Sequence, residues 1–235
     1  MMLNTIVADV LEKYADRLEN AKDFTKELNT IIHDAYHNHK RIVFNGDGYT
    51  EAWVKEAEKR GLLNLASTAD AMPYYTHPEN VKLFEHHGVL SKDEVYSRSE
   101  IQLENYTKQL HIEALTMIDM IYKDILPAAG KYMKDLSEEA QTKTAVCANI
   151  STHYEKDILQ KLSSLCDSLY QETEKLQKAI AGEGKGSVQE QANYSRHTLF
   201  AQMEKTRKVA DEIEPMVGKT YWPYPTYGDM LFSVV

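Results

Sequence analysis

The sequence predicts a mainly α-helical protein, and three observations carry that prediction. Glycine (10) and proline (6) are scarce among 235 residues. Over long stretches apolar residues recur three or four positions apart, the period of one helix face. Residues that cap helices also stand where such stretches begin, as in Ser91-Lys-Asp-Glu94, where the serine accepts from a backbone amide and the glutamate reaches back.

In chain order, Leu3, Val7, Val10 or Leu11, Tyr14 and Leu18 make a first helical stripe, and Phe24, Leu28, Ile31, Ile32 and Ala35 a second. Arg41-Ile-Val-Phe44 reads as one short strand-like element ended by the turn Asn45-Gly-Asp-Gly48. A helix is expected from Thr50 to about Arg60, stopped by Gly61, followed by loop with one short helical turn over 61–76. Pro78 suits a first helical position and opens a helix that carries Val81, Leu83 and Phe84 and ends at Gly88.

From Ser91 a long amphipathic helix runs through Val95, Ile101, Leu110, Leu115, Ile118, Ile121 and Ile125, and Pro127 is expected to kink or break it. Ser137-Glu-Glu-Ala140 is expected to begin the next helix. Its stripe runs from Val146 through Ile150, Tyr154, Ile158, Leu162, Leu165, Leu169 and Leu176 to Ile180, with the alternating steps of a bundle seam. Gly182-Glu-Gly-Lys-Gly186 is a flexible connector, and a returning helix uses Leu199, Met203, Val209 and Ile213 before stopping at Pro215. Two long helices joined this way form an antiparallel hairpin.

The tail from Thr220 carries Pro223, Pro225 and several aromatics. Each proline removes a donor and pushes its predecessor toward an extended conformation, so the segment is expected to be extended rather than helical. Its apolar surface calls for a groove, on the chain's own helices or on a neighbouring subunit. Trp222, Tyr224, Tyr227 and Phe232 are the candidate docking residues, because large aromatics in pockets supply much of an interface's energy.

Charge and composition exclude several classes. A net charge of −9 argues against an electropositive nucleic-acid face. No apolar run is long enough to cross a bilayer, and the N-terminus lacks a signal-peptide pattern. Cys147 and Cys166 fall within one predicted helix, several turns apart, so they cannot pair there. Free thiols of a reducing cytoplasm account for them.

Candidate chemistry is sparse. His33 and His37 stand at the i and i+4 spacing that can chelate zinc, without the glutamate that a metalloprotease of this class uses as base. Histidines at a polar helix end account for the same pattern. Asn45-Gly-Asp-Gly-Tyr-Thr50 has the look of a calcium loop, with Glu56 at its twelfth position, but Thr50 stands where that loop needs glycine. Its glycines could cradle a phosphate before a helix, though their spacing fits no phosphate motif, and a tight strand-to-helix turn explains them. His86 and His87, just before Gly88, fit a helix C-cap. Glu100, Glu104, Glu113 and Asp119 lie on the long helix without the Glu-x-x-His pairs of a di-iron bundle. No nucleophile motif organises a catalytic site.

Several blocks resemble one family. Ile42-Val-Phe-Asn-Gly-Asp-Gly-Tyr49, Trp53, Glu56-Ala-Glu-Lys-Arg-Gly-Leu62, Leu83 to Ser91, Glu113 to Asp119, Asp124-Ile-Leu-Pro127 and Trp222 to Asp229 are similar to the C-terminal region of the type III glutamine synthetases. Asn64 to Ala71 and Phe84 to Glu94 resemble the closing segment of ordinary glutamine synthetases. The resemblance implies that residues 1–110 are the helical end of a catalytic domain and 111–235 a type III extension. The parent reaction would be the ATP-dependent ligation of ammonia to glutamate with magnesium or manganese. The family's glutamate metal ligands, ATP-binding residues and substrate strands have no counterpart here, so the resemblance implies a detached C-terminal portion with no catalytic or cofactor-binding residue. Its expected partners are itself or the catalytic region, since the family assembles as stacked hexameric rings. The expected function is a non-catalytic structural and oligomerisation module of the cytoplasm. The alternative is a self-standing helical module that binds a metal through His33 and His37 or a small effector between the long helices.

Overall fold

Ser91 caps the longest helical run of the chain as its capping box requires. Its hydroxyl accepts from the Glu94 amide, and the Glu94 carboxylate accepts from the Ser91 amide at 2.8 Å. In the computed structural model, which describes residues 1–232 apart from the Tyr227 side chain, the fold is mainly α, and no strand occurs among the described residues. The chain divides into two units, Met1–Leu103 and Glu104–Val235.

The first unit holds helices α1 (Met2–Glu19), α2 (Phe24–His39), α3 (Glu51–Lys59), α4 (Thr68–Tyr75), α5 (Pro78–His86) and the start of α6 (Lys92–Met120). Val81, Phe84, Leu90 and Val95 form its core, with Tyr75 and Val89 packed against them. Gly88, at φ 61°, turns the chain out of α5. That left-handed conformation lets the Val89 amide reach the Phe84 carbonyl at 2.9 Å, and glycine adopts it without a Cβ penalty.

One expectation fails in this unit. Arg41 to Phe44 is not a strand; Lys40–Ile42 forms a 3₁₀ turn. Arg60 takes the backbone acceptors that a ladder would have used, donating to the carbonyls of Arg41 and Val43, while Phe44 stacks on Trp53 with ring centroids 4.0 Å apart. In α1, the apolar stripe faces outward at its N-terminal end, over Leu3, Val7, Val10 and Leu11, while Tyr14 and Leu18 are half-buried. Thr5 is buried and Asp9 half-buried against the unit, whereas Leu3 is 78% and Leu11 59% exposed.

In the second unit the rest of α6 passes into a π-helical turn at Ile121–Ile125, then α7 (Leu126–Val146). Pro127 therefore neither ends nor breaks the run. The Leu126 amide donates to the Ile121 carbonyl, one residue further back than in an α-helix, and the widened turn accommodates the proline ring. Ser137 does not start a helix either. It sits inside α7 and donates its hydroxyl hydrogen to the Met133 carbonyl, so its capping potential is used within the helix. The next helix, α8 (His153–Ala181), begins beyond a loop that contains Cys147. The two cysteines thus lie on different elements, and both are free thiols.

The predicted hairpin is present. α8 returns through Gly182–Gly186 into α9 (Val188–Tyr194), a π-helical turn at Ser195–Phe200 and α10 (Ala201–Ile213), and α10 and α7 both pack on α8. Leu162, Leu169 and Leu176, at heptad spacing, are fully buried. Gln202 secures the seam by donating to the Glu172 carboxylate at 2.7 Å.

Candidate functional site

The tail docks within its own unit. Trp222 and Tyr224 are half-buried and pack against the core built on Ile121, Ile125, Leu162 and Ile213. Tyr221 rests on Tyr132, with ring centroids 5.2 Å apart. Two hydroxyls fix the path. Tyr221 donates to Asp135 Oδ2 at 2.5 Å, and Tyr224 donates to Asp124 Oδ2 at 2.9 Å. Burial, and then the Asp124 carboxylate, push the Tyr224 phenol up to about 12. The Asp135 bond raises Tyr221 in the same direction.

Past Pro225 the tail turns helical, against expectation, as α11 (Tyr227–Phe232). The prolines precede the helix, so they remove no donor inside it. The Asp229 carboxylate accepts from the Thr226 amide and hydroxyl, while the Asp229 amide donates to the Thr226 hydroxyl. Lys219, and then Thr226, hold the Asp229 carboxyl well below the usual carboxylate range. Of the four candidate docking residues, Trp222 and Tyr224 face inward and Phe232 is 84% exposed. The side chain of Tyr227 lies outside the described residues.

Beside the docked tail, α6 and α10 bound a groove of about 980 Å³. Met117, Ile121 and Met203 give it an apolar floor, and Trp222 and Tyr224 line it. Glu113, Glu204, Asp211 and Glu214 outnumber Arg207 and Lys208 among its charged lining residues.

The sequence-level metal pair is close but open. The His33 and His37 rings lie parallel with centroids 5.9 Å apart, and the carboxylate beside them is Asp34, 3.5 Å from His33 Nδ1. Among the described residues, the one group of three or more potential ligands within 4.8 Å of one another is Glu12, His86 and His87. The Asn45–Gly48 segment is a helix-entry turn. Asp47 accepts from the Tyr49 amide, and Thr50 caps α3 by accepting from Trp53.

A surface feature whose direction the sequence did not reveal is the outer face of α1. Leu3, Ile6, Val7, Val10 and Leu11 follow the i, i+3, i+4 pattern of a buried stripe, and all are exposed. The stripe is legible in the sequence; its direction is not, because the inward line is polar. Among the described residues no helix is long and apolar enough to cross a membrane.

Comparison with known proteins gives one consistent picture. The family described as "Glutamine synthetase C-terminal domain" matches residues 27–144. The chain is 40% identical to a glutamine synthetase of Butyrivibrio fibrisolvens over 90% of its own length and 30% of that protein. It is 32% identical to a type-3 glutamine synthetase of Dictyostelium discoideum, over 99% of its length and 33% of the relative. Similarity to a glutamine synthetase of Bacteroides fragilis is 27% over 82% of the chain. The chain thus spans about a third of the length of these curated relatives.

Proposed function

Since the chain belongs to the glutamine synthetase C-terminal domain family, we propose that it is a non-catalytic structural module of a type III glutamine synthetase that mates with other parts of that enzyme through the outer face of α1. The observation that carries this reading is the outward stripe of Leu3, Ile6, Val7, Val10 and Leu11. A helix facing only water carries polar residues there, and contiguous exposed apolar surface marks an interface. The partner is the catalytic region or a second copy of the chain, in a homo-oligomer of the cytoplasm, a compartment that suits free Cys147 and Cys166.

The parent reaction joins ammonia to glutamate using ATP and magnesium or manganese, and in this reading other parts of the enzyme perform it. This chain's groove does not fit that chemistry. Glu113, Glu204, Asp211 and Glu214 would repel a triphosphate. Purified chain supplied with glutamate, ammonium, ATP and magnesium is expected to form no glutamine, and turnover would overturn the non-catalytic assignment. Light scattering is expected to give a mass above one copy of 26.9 kDa. A single-copy mass at every concentration would contradict mating between copies of the chain.

A second reading rests on the same groove. Its apolar floor and mixed-charge lining suit a small amphiphilic effector rather than a phosphate. Thermal shift against amino acids tests it, with nucleotides expected to give no shift, since only a ligand of the folded state raises the melting temperature.

A further inference from the structure

The C-terminal end of α5 meets the middle of α1 in a set of side chains that the mating role does not use. His86 is the last residue of α5, and His87 follows as its cap. Asp9 and Glu12, three residues apart on α1, lie on one face of that helix. His86 Nε2 is 2.8 Å from Glu12 Oε2. His87 Nε2 is 3.8 Å from the same oxygen and 3.5 Å from Asp9 Oδ1. Asp9 gives its other oxygen to Lys13 at 2.6 Å, which leaves Oδ1 turned to the histidine.

One atom in this group is held only at long range. His87 has a side chain 16% exposed, and its Nε2 is shielded from water with no acceptor nearer than Asp9 Oδ1 at 3.5 Å and Glu12 Oε2 at 3.8 Å. Buried polar atoms in folded proteins are nearly always satisfied, so an exception calls for an explanation. A cation supplies one. In a tetrahedral site with bonds of about 2.0–2.2 Å, ligand atoms stand about 3.3–3.6 Å apart. The His86–Glu12 and His87–Glu12 separations of 2.8 and 3.8 Å lie either side of that value, so small rotations would seat these three on one ion, and Asp9, 3.5 Å from His87, would have to turn toward the other two.

We propose that Glu12, His86 and His87, with Asp9 as the fourth ligand, form a divalent-cation site of the zinc class that clamps α1 to the end of α5. The donor set decides the class. Two imidazoles with two carboxylates suit zinc, whereas magnesium and calcium take shells of oxygen. All four residues belong to the first unit, and the site sits beside the outward stripe on the same helix. Metal binding therefore stiffens the element that carries the mating face.

The test uses the full chain, stripped with chelator and titrated with zinc or magnesium alone, followed by calorimetry and thermal unfolding. Zinc is expected to bind at one ion per chain and to raise the melting temperature, and magnesium to do neither. Glu12→Gln and His86→Asn change exposed side chains, so the fold should persist, as circular dichroism checks. Each is expected to weaken zinc binding at least tenfold and to abolish the thermal shift. His33→Ala combined with His37→Ala is expected to leave both unchanged. Failure of the folded chain to bind zinc would overturn the proposal. So would binding that survives in Glu12→Gln and His86→Asn, or binding lost with His33 and His37 instead.

Discussion

Tyr224 donates its hydroxyl hydrogen to Asp124 Oδ2 at 2.9 Å, joining the tail to a residue 100 positions earlier. Asp124 lies in the π-helical turn Ile121–Ile125, just before Pro127. The same widened turn that admits the proline therefore carries the acceptor that holds the tail. Removing the hydroxyl in Tyr224→Phe leaves the ring in place and returns the exposed Asp124 carboxylate to water. The expected loss is about 0.5–1 kcal/mol in urea unfolding, the low end for a hydrogen bond, because the acceptor is open to solvent.

The tail is expected to loosen in alkali. The Tyr224 phenol rises from 10.0 to about 12 in the fold, and Tyr132, bonded to Tyr154 and partly buried, does likewise. The folded state thus holds protons that the unfolded chain releases. This stability is fully present below pH 10 and is lost as pH rises from 10 toward 12. Trp222 fluorescence in a Trp53→Phe background is expected to report the change over that window. Tyr224→Phe should flatten part of the slope.

Trp222→Ala tests the packing half of the same attachment. A fully buried tryptophan costs about 3–5 kcal/mol on truncation, and Trp222 is half-buried, so about 2–3 kcal/mol is expected. Thermal or urea unfolding checks it, and an unchanged midpoint would mean that the ring contributes no packing.

Lys143 is the charged partner of Glu155, whose residue is only 2% exposed. The lysine, and then the glutamate's own amide, hold the Glu155 carboxyl below its usual range. Lys143→Met would leave that charge without its partner and is expected to lower the urea midpoint. Because the folded pKa is depressed, the pair's contribution is present above the unfolded value of 4.5 and is lost as pH falls below it. In Lys143→Met that acid dependence should shrink, measured as unfolding midpoints against pH.

Gly186 sits at φ 84°, and a Cβ there would stand 2.5 Å from Glu190 Oε2. That oxygen completes the capping box with the Ser187 amide and hydroxyl. Gly186→Ala therefore combines left-handed strain with damage to the cap and is expected to cost about 1–2 kcal/mol. Gly184→Ala, with the same φ and nothing within 4 Å, separates the strain from the clash.

Local chemistry made much of the fold legible. Ser91 with Glu94, Pro78 at a helix start and Gly88 beyond a helix end are short-range signals, and each stands where it was read. The hairpin followed from a leucine seam and a glycine connector. What failed depended on which acceptor a donor finds in the fold. Arg60 captures the carbonyls near Arg41, Ser137 bonds back into its own helix, and the π turn before Pro127 spares the run. The histidine cluster was hidden because His86 and Glu12 lie 74 residues apart. The α1 stripe shows the limit most plainly. Periodicity located Leu3, Val7 and Leu11 on one face, but only packing reveals that Thr5 turns inward and that face turns out.

The central claim is that this outward face mates with another protein surface. Light scattering on size-exclusion peaks tests it, comparing the intact chain with a Val7→Asp, Leu11→Asp variant. Both positions are exposed in a single copy, so the melting temperature should be unchanged. With no other enzyme region present, intact copies are expected to associate through this face and the variant to fall to a single-copy mass. Equal masses for the two proteins would contradict the claim.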